Sequence, residues 1–229
     1  MTEARARGKL LWFASAAAML TGFVDATGFL SFGRLFVASP DAGSIVAGVR
    51  LIDNLHAGLV AGGLILAFLV GVIITSLAAA QFPRHRRSIP LLGVGFLLAM
   101  AFLVETTSAP VAALAAAMAM GAVHGLFGKD ERVLREALMP AVQLVRLGEA
   151  FAGGNTTDRR LSLVRHAALW LAFLTGGLCG AASAVHLPGR SFALAAVLTL
   201  LLVICEVFLE RREALGRLAT ADFDSDQDG

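Results

Sequence analysis

The chain has 229 residues, of which 57% are hydrophobic and 16% charged, and its mean hydropathy is +0.76. The apolar residues fall in long runs, not in 3.6-residue stripes, which excludes an ordinary soluble domain and leaves one polytopic membrane domain. A net charge of +2 excludes nothing by itself; the placement of the positive charges is what informs.

In chain order, residues 1–9 form a basic N-terminus with Arg5, Arg7 and Lys9. An apolar run over 10–33 follows. Ala16-Ala17-Ala18 would suit a signal-peptide cleavage site, but the run continues well past it, as an uncleaved span does. Further runs cover 57–81, 88–105, 110–128, 164–187 and 191–209. The expected fold is therefore an all-α membrane domain of six transmembrane helices over 10–212, followed by a cytoplasmic acidic disordered tail over 213–229. Cys179 and Cys205 lie inside predicted spans and read as small core residues, without metal-ligand spacing.

Of the 19 Lys and Arg residues, all but Arg34, Arg50 and Arg190 fall on one side of such a six-span arrangement. The positive-inside rule then places both termini in the cytoplasm. The cluster Arg84-His85-Arg86-Arg87 is a topology determinant attracted to anionic lipid.

The chain also reads as two copies, about 10–105 and 110–209. Gly22-Phe-Val-Asp25-Ala pairs with Gly121-Ala-Val-His124-Gly, and Val49-Arg50-Leu51 with Val145-Arg146-Leu147. Leu64-Ile-Leu-Ala-Phe-Leu-Val-Gly71 pairs with Leu169-Trp-Leu-Ala-Phe-Leu-Thr-Gly176. Three spans per copy invert the second copy relative to the first, giving a 3+3 inverted repeat of the kind found in transport folds. Gly58/Gly62, Gly121/Gly125 and Gly176/Gly180, with Ala112 to Ala119, read as helix-packing faces.

After the first and fourth spans lie amphipathic segments containing Pro40 and Pro140, where a helix is expected to break. Arg132, Arg135, Glu136, Gln143 and Arg146 form a polar stripe at helical spacing in the second of them. Segments 34–56 and 129–160 read either as surface helices or as re-entrant pieces lining a polar cavity. On the second reading Asp41, Ser44 and Gln143 join the substrate- or ion-binding candidates.

Asp25 lies well inside the first span between Gly22 and Gly28, and His124 has the equivalent setting in the second copy. An intramembrane charge costs about 3 kcal/mol, so it should face the bundle and find a partner. Asp25 and His124 are the leading candidates for a proton or cation relay near the midplane. The structural alternatives are an internal polar pair, or an Asp25 bonded to neighbouring backbone and to Thr21 and Thr27. Glu105 and Glu206 close the third and sixth spans as secondary candidates, more simply solvated helix ends.

The tail Asp224-Ser-Asp226-Gln-Asp228-Gly229 matches only the first six positions of a calcium loop, so no metal site is read from it. No phosphate loop, dinucleotide fingerprint, nucleophile elbow or zincin helix is present, so neither a cofactor nor an enzymatic function is expected. Nucleic-acid binding has no support.

Gly22-Phe-Val-Asp25-Ala-x-Gly28-Phe-Leu, with Leu35-Phe36-Val37 and the Ala-Met-Gly121 stretch, resembles the YoaK-like family of bacterial inner-membrane proteins, a domain of unknown function. The resemblance runs from the first span through the sixth. It implies six spans in a bacterial cytoplasmic membrane and brings no substrate. In place of the family's Thr-Gly-Asn the chain has Ser39-Pro40-Asp41-Ala42-Gly43-Ser44, and Val123-His124 stands where a Gln-Asn pair is usual, marking a divergent member. The functional expectation is a small-solute or ion transporter with a polar site near the midplane; the alternative is a non-transporting membrane scaffold or regulatory protein. Expected partners are the lipid bilayer and a small solute or proton, with a homo-oligomer left open.

Overall fold

A computed structural model of the chain describes residues 2–82, 87–127, 136, 138–152 and 157–225. Among them every regular element is a helix: α1 Thr2–Ser31, α2 Pro40–Asp53, α3 Leu55–Gln81, α4 Ser88–Val104, α5 Ala109–Gly125, α6 Pro140–Ala152, α7 Thr157–His186 and α8 Ser191–Ser225. Leu10–Ser31, Leu55–Gln81, Arg159–His186 and Ser191–Phe208 are long and apolar enough to cross a membrane. Helices α4 and α5 are apolar but shorter, at 17 residues each, which is about 25 Å of helix. Each of the six apolar runs thus lands on a helix.

Two expectations change. Helix α8 continues to Ser225, through the stretch from 213 whose acidity suggested disorder. The segment from Glu210 to Ala219 consists almost wholly of strong helix formers, so nothing local stops the helix there. The prolines, in turn, interrupt no helix. Pro40 and Pro140 are the first residues of α2 and α6, where a missing N–H costs nothing. The first break lies ahead of its proline, in the non-helical residues 32–39. Its counterpart, with Arg132 and Arg135, lies mostly outside the described residues, as do Arg84, His85, Arg86 and the tail residues 226–229.

Helix α1 packs chiefly on α7, and α3 on α5; α2 lies on α3, α6 on α7, and α4 bridges α5 and α8. Helix α1 therefore pairs with a helix late in the chain, and α5 with one that precedes it. Glycines set these crossings. Gly22 faces the Phe173 carbonyl and Gly176 the Met19 carbonyl; Gly121 faces the Phe68 carbonyl and Gly71 the Met118 carbonyl. A Cβ at any of the four would overlap a backbone oxygen that has no rotamer to escape into. Gly180 against the Phe23 carbonyl, and Gly125 against Thr75, extend the two contacts. Gly62, read as part of a packing face, meets nothing within 4 Å, whereas Gly58 receives Leu51.

Small residues fill the interior and large ones face outward. Ala112, Ala113, Ala116, Ala117 and Ala119 are fully buried, while Leu66, Phe96 and Leu178 are each 65% exposed. That inside-out distribution is membrane-like, because packing between helices, not burial from water, decides what lies within. Cys179 and Cys205 are exposed free thiols and not core residues.

Asn54 ends α2 and starts α3, accepting at its side chain from the Ala57 N–H at 3.1 Å. Helix α2 consequently runs back along α3. Leu51 meets Gly58 near the turn. The Pro40–Asp41 end lies near the middle of α3, where the Phe68 and His124 rings stand edge-to-face at 5.0 Å and the Asp41 carboxylate acts on His124.

Gly121→Ala is expected to destabilise the α3–α5 crossing by about 2 kcal/mol, read as a lowered midpoint of thermal unfolding in detergent. Gly62→Ala, entering open space, should leave the midpoint unchanged.

Candidate functional site

The extended residues 32–39 bring polar groups together. Asp25, about four turns into the apolar part of α1, is only 5% exposed. Its Oδ1 accepts the Val37 and Ala38 N–H groups, both at 2.9 Å, and its Oδ2 accepts the Ser39 hydroxyl. A single carboxylate thus satisfies the donors of the segment just ahead of α2, which have no helical partner of their own. Thr21 and Thr27 do not contribute: their hydroxyls donate to the Ala17 and Gly180 carbonyls, at 2.8 and 3.3 Å.

Packing holds the rest of the segment. Gly28 leaves room for the Val37 side chain. Phe29 meets Phe36 at 4.9 Å, and Phe32 stacks on Phe192 of α8 at 5.3 Å. Arg50 donates to the Gly33 carbonyl at a tight turn where Gly33 and Arg34 both have positive φ, 65° and 64°. The strain of a non-glycine residue there is accepted in exchange for bringing residues 37–39 back to Asp25.

Of the residues singled out from the sequence, Asp25 and Ser39-Pro40-Asp41 converge at the start of α2. Ser44 is exposed and donates to the Pro40 carbonyl at 2.8 Å. His124 is half-buried, with Nδ1 2.9 Å from the Met120 carbonyl. Among the described residues no hydrogen bond or ion pair joins Asp25 to His124.

Gln143 belongs to a separate constellation. It is 1% exposed; its Nε2 donates to the Glu136 carbonyl at 2.6 Å, and its Oε1 lies 2.7 Å from Nδ1 of His166 on α7. His166 Nε2 lies 3.2 Å from the Arg165 guanidinium. Glu136, Arg165 and His166 border a recess of about 350 Å³ between α6 and α7, lined also by Arg146, Glu149 and Ser162. Arg146 there pairs with Glu149 at 3.3 Å and Glu136 at 3.5 Å.

His166 was missed because, beside Arg165, it looks like the polar edge of a span. A signal was nevertheless present. Aligning the short matches between the halves sets Ala47 and Ala61, both buried, against Gln143 and His166.

Glu206 is not a solvated helix end. It is 8% exposed and pairs with Arg87 at 3.4 Å, whose guanidinium lies 5.3 Å above the Phe13 ring. Glu105, just past α4, is partly buried and accepts a hydrogen bond from Ser31. Among the described residues no group of three His, Cys, Asp or Glu side chains could hold a metal ion.

A family profile described as "Protein of unknown function (DUF1275)" matches residues 13–205, from within α1 to within α8. The chain belongs to that family. No curated protein and no solved structure matches it. Within this DUF1275 chain, two of the three stretches that carried the sequence resemblance are sides of one contact, since Asp25 and Gly28 receive Val37.

Asp25→Asn replaces one acceptor oxygen by an amide that faces donors. It is expected to cost about 3 kcal/mol, against about 1 kcal/mol for Ser39→Ala, which leaves both backbone bonds in place. Thermal unfolding of the purified variants measures the difference.

Proposed function

We propose that the chain is a small-solute or ion transporter of the permease type. It sits in a bacterial cytoplasmic membrane with six spans, both termini in the cytoplasm, and two inverted copies of three spans each. The observation that carries this reading is the exchange of partners between the copies. Gly22 and Gly176 on α1 and α7 meet the carbonyls of Phe173 and Met19, and the residues corresponding to them by sequence, Gly121 and Gly71, meet those of Phe68 and Met118. A two-fold relation accounts for both crossings at once. Folds of inverted repeats place their binding sites where the copies meet, on discontinuous helices.

Helix α2 supplies such a discontinuity. Running back along α3, it carries Ser39, Pro40 and Asp41 to the level of Phe68 and His124, which favours a re-entrant piece over a surface helix. Its open side carries Ile45, Val49 and Ile52, at 71, 63 and 92% exposure, a face suited to lipid. Non-helical backbone at membrane depth is tolerated only where protein satisfies it, and Asp25 does so for residues 37–39. The polar site is assigned to the start of α2, with Asp25, Asp41 and His124 around it.

One observation favours the second reading, a non-transporting scaffold: both oxygens of Asp25 are engaged by the chain itself. Flux decides between the two. Purified protein in liposomes is expected to move a labelled ion or small solute from a panel of candidates, with Asp25→Asn lowering the rate about tenfold or more. Absence of flux for every solute, with Asp25→Asn indistinguishable from the unmodified chain, would leave the scaffold.

A further inference from the structure

We infer that the recess between α6 and α7 holds a zwitterion that carries a phosphate and a primary ammonium, and that the headgroup of an aminophospholipid supplies it. This ligand is separate from any solute handled at the start of α2.

A chain of hydrogen bonds ends at the rim of the recess. Gln143 donates from Nε2 to the Glu136 carbonyl at 2.6 Å, and its Oε1 accepts from Nδ1 of His166 at 2.7 Å. A guanidinium only donates, so His166 Nε2 accepts from Arg165 at 3.2 Å. Two buried polar side chains thus hold one exposed arginine in place. Among the described residues Arg165 has no carboxylate partner, and its other N–H groups are uncommitted. Ser162 lines the recess one turn before Arg165 on the same face of α7, and its hydroxyl makes no hydrogen bond among the described residues. A guanidinium fork beside a free hydroxyl is a donor set for phosphate.

The wall contributed by α6 and by Glu136 ahead of it has the opposite sign. Arg146 lies between Glu149 at 3.3 Å and Glu136 at 3.5 Å, so one cation serves two carboxylates and a negative charge is left over. Among its described lining residues the recess is therefore neutral in sum and polarised across its width. A simple anion would meet repulsion at the glutamates, and a simple cation at Arg165. A ligand with both charges meets neither. The volume of about 350 Å³ is at the small end for ligand sites, which fits a headgroup of this kind.

Depth and surroundings favour lipid as the source. From Arg165 to His186 helix α7 rises about 32 Å, close to the thickness of the hydrocarbon layer, about 30 Å. With His186 at one boundary, Arg165 stands at the other, level with headgroups. The neighbours of the lining residues are apolar and face outward: Val145, Phe151, Leu161 and Val164 are 61, 64, 74 and 68% exposed. Acyl chains can lie against them while the headgroup enters the recess.

The full chain is placed in nanodiscs made of equal parts of dioleoyl phosphatidylethanolamine and dioleoyl phosphatidylglycerol, and native mass spectrometry weighs the lipids it retains. Arg165→Gln should retain about fivefold less phosphatidylethanolamine, the effect of one basic residue at a lipid surface, with phosphatidylglycerol unchanged. Glu149→Gln should retain about threefold less. His166→Phe, which frees the guanidinium, should also retain about threefold less. Arg190→Gln, just beyond the far end of α7, should lose neither lipid. An Arg165→Gln that sheds phosphatidylglycerol instead, or keeps all its phosphatidylethanolamine, overturns the inference, as does full retention in Glu149→Gln. Both positions are exposed, so these two variants decide even where His166→Phe does not fold. Full retention in a folded His166→Phe overturns the positioning of Arg165 by the chain. Soluble phosphoethanolamine, added to the protein in detergent, separates the two sources. If the unmodified chain retains no lipid but phosphoethanolamine raises its unfolding midpoint, and Arg165→Gln abolishes the rise, the zwitterion site stands and its ligand is a solute. Neither retained lipid nor a rise overturns the site altogether.

Discussion

Two helix crossings organise this molecule, and each depends on backbone meeting backbone. Where Gly22 faces the Phe173 carbonyl and Gly121 the Phe68 carbonyl, the absence of a side chain sets the distance between helices. Apolar surface alone cannot fix such a distance among helices whose outsides are as greasy as their insides; close packing of small residues can. The alanine-lined side of α5 follows from the same requirement, since larger side chains would hold α3 and α1 away.

That close packing leaves little room for polar groups, and the buried ones are correspondingly economical. Asp25 serves three donors with one carboxylate, and Gln143 uses its amide in both directions, toward Glu136 and toward His166. Arg87, Glu206 and Phe13 form a third compact group, an ion pair covered by an aromatic face. A buried polar group costs several kcal/mol unless it is bonded, so each marks a place where the backbone or a neighbouring helix needed an anchor that apolar contacts could not supply.

The apolar runs predicted the apolar part of every long helix to within about five residues, because hydropathy over about twenty residues is a strong and local signal. Short matches between the two halves of the chain were legible, and the glycines within them are contact points between helices. Less was visible wherever the cause lay across the fold. Asp25 stood out as an intramembrane charge, but its partners, twelve to fourteen residues later in a non-helical stretch, depend on a turn at Gly33-Arg34 that no pattern announces. Prolines signalled discontinuity, yet at Pro40 the discontinuity precedes the ring. His166 looked like part of a charged helix end, and only its meeting with Gln143 gives it a role. Helix propensity carried α8 past the point where composition suggested a tail.

The exchange of partners also sets an order of assembly. Helix α1 leaves the ribosome first, and α7, on which it chiefly packs, emerges only after most of the chain has been made. Until then Gly22 and Met19 present a bare groove with nothing to fill it. Contacts so distant in sequence are slow to form and leave intermediates exposed. Helices α3 and α5, made close together, can pair early and offer α1 a provisional surface at α5, so that the second crossing is able to form well before the first.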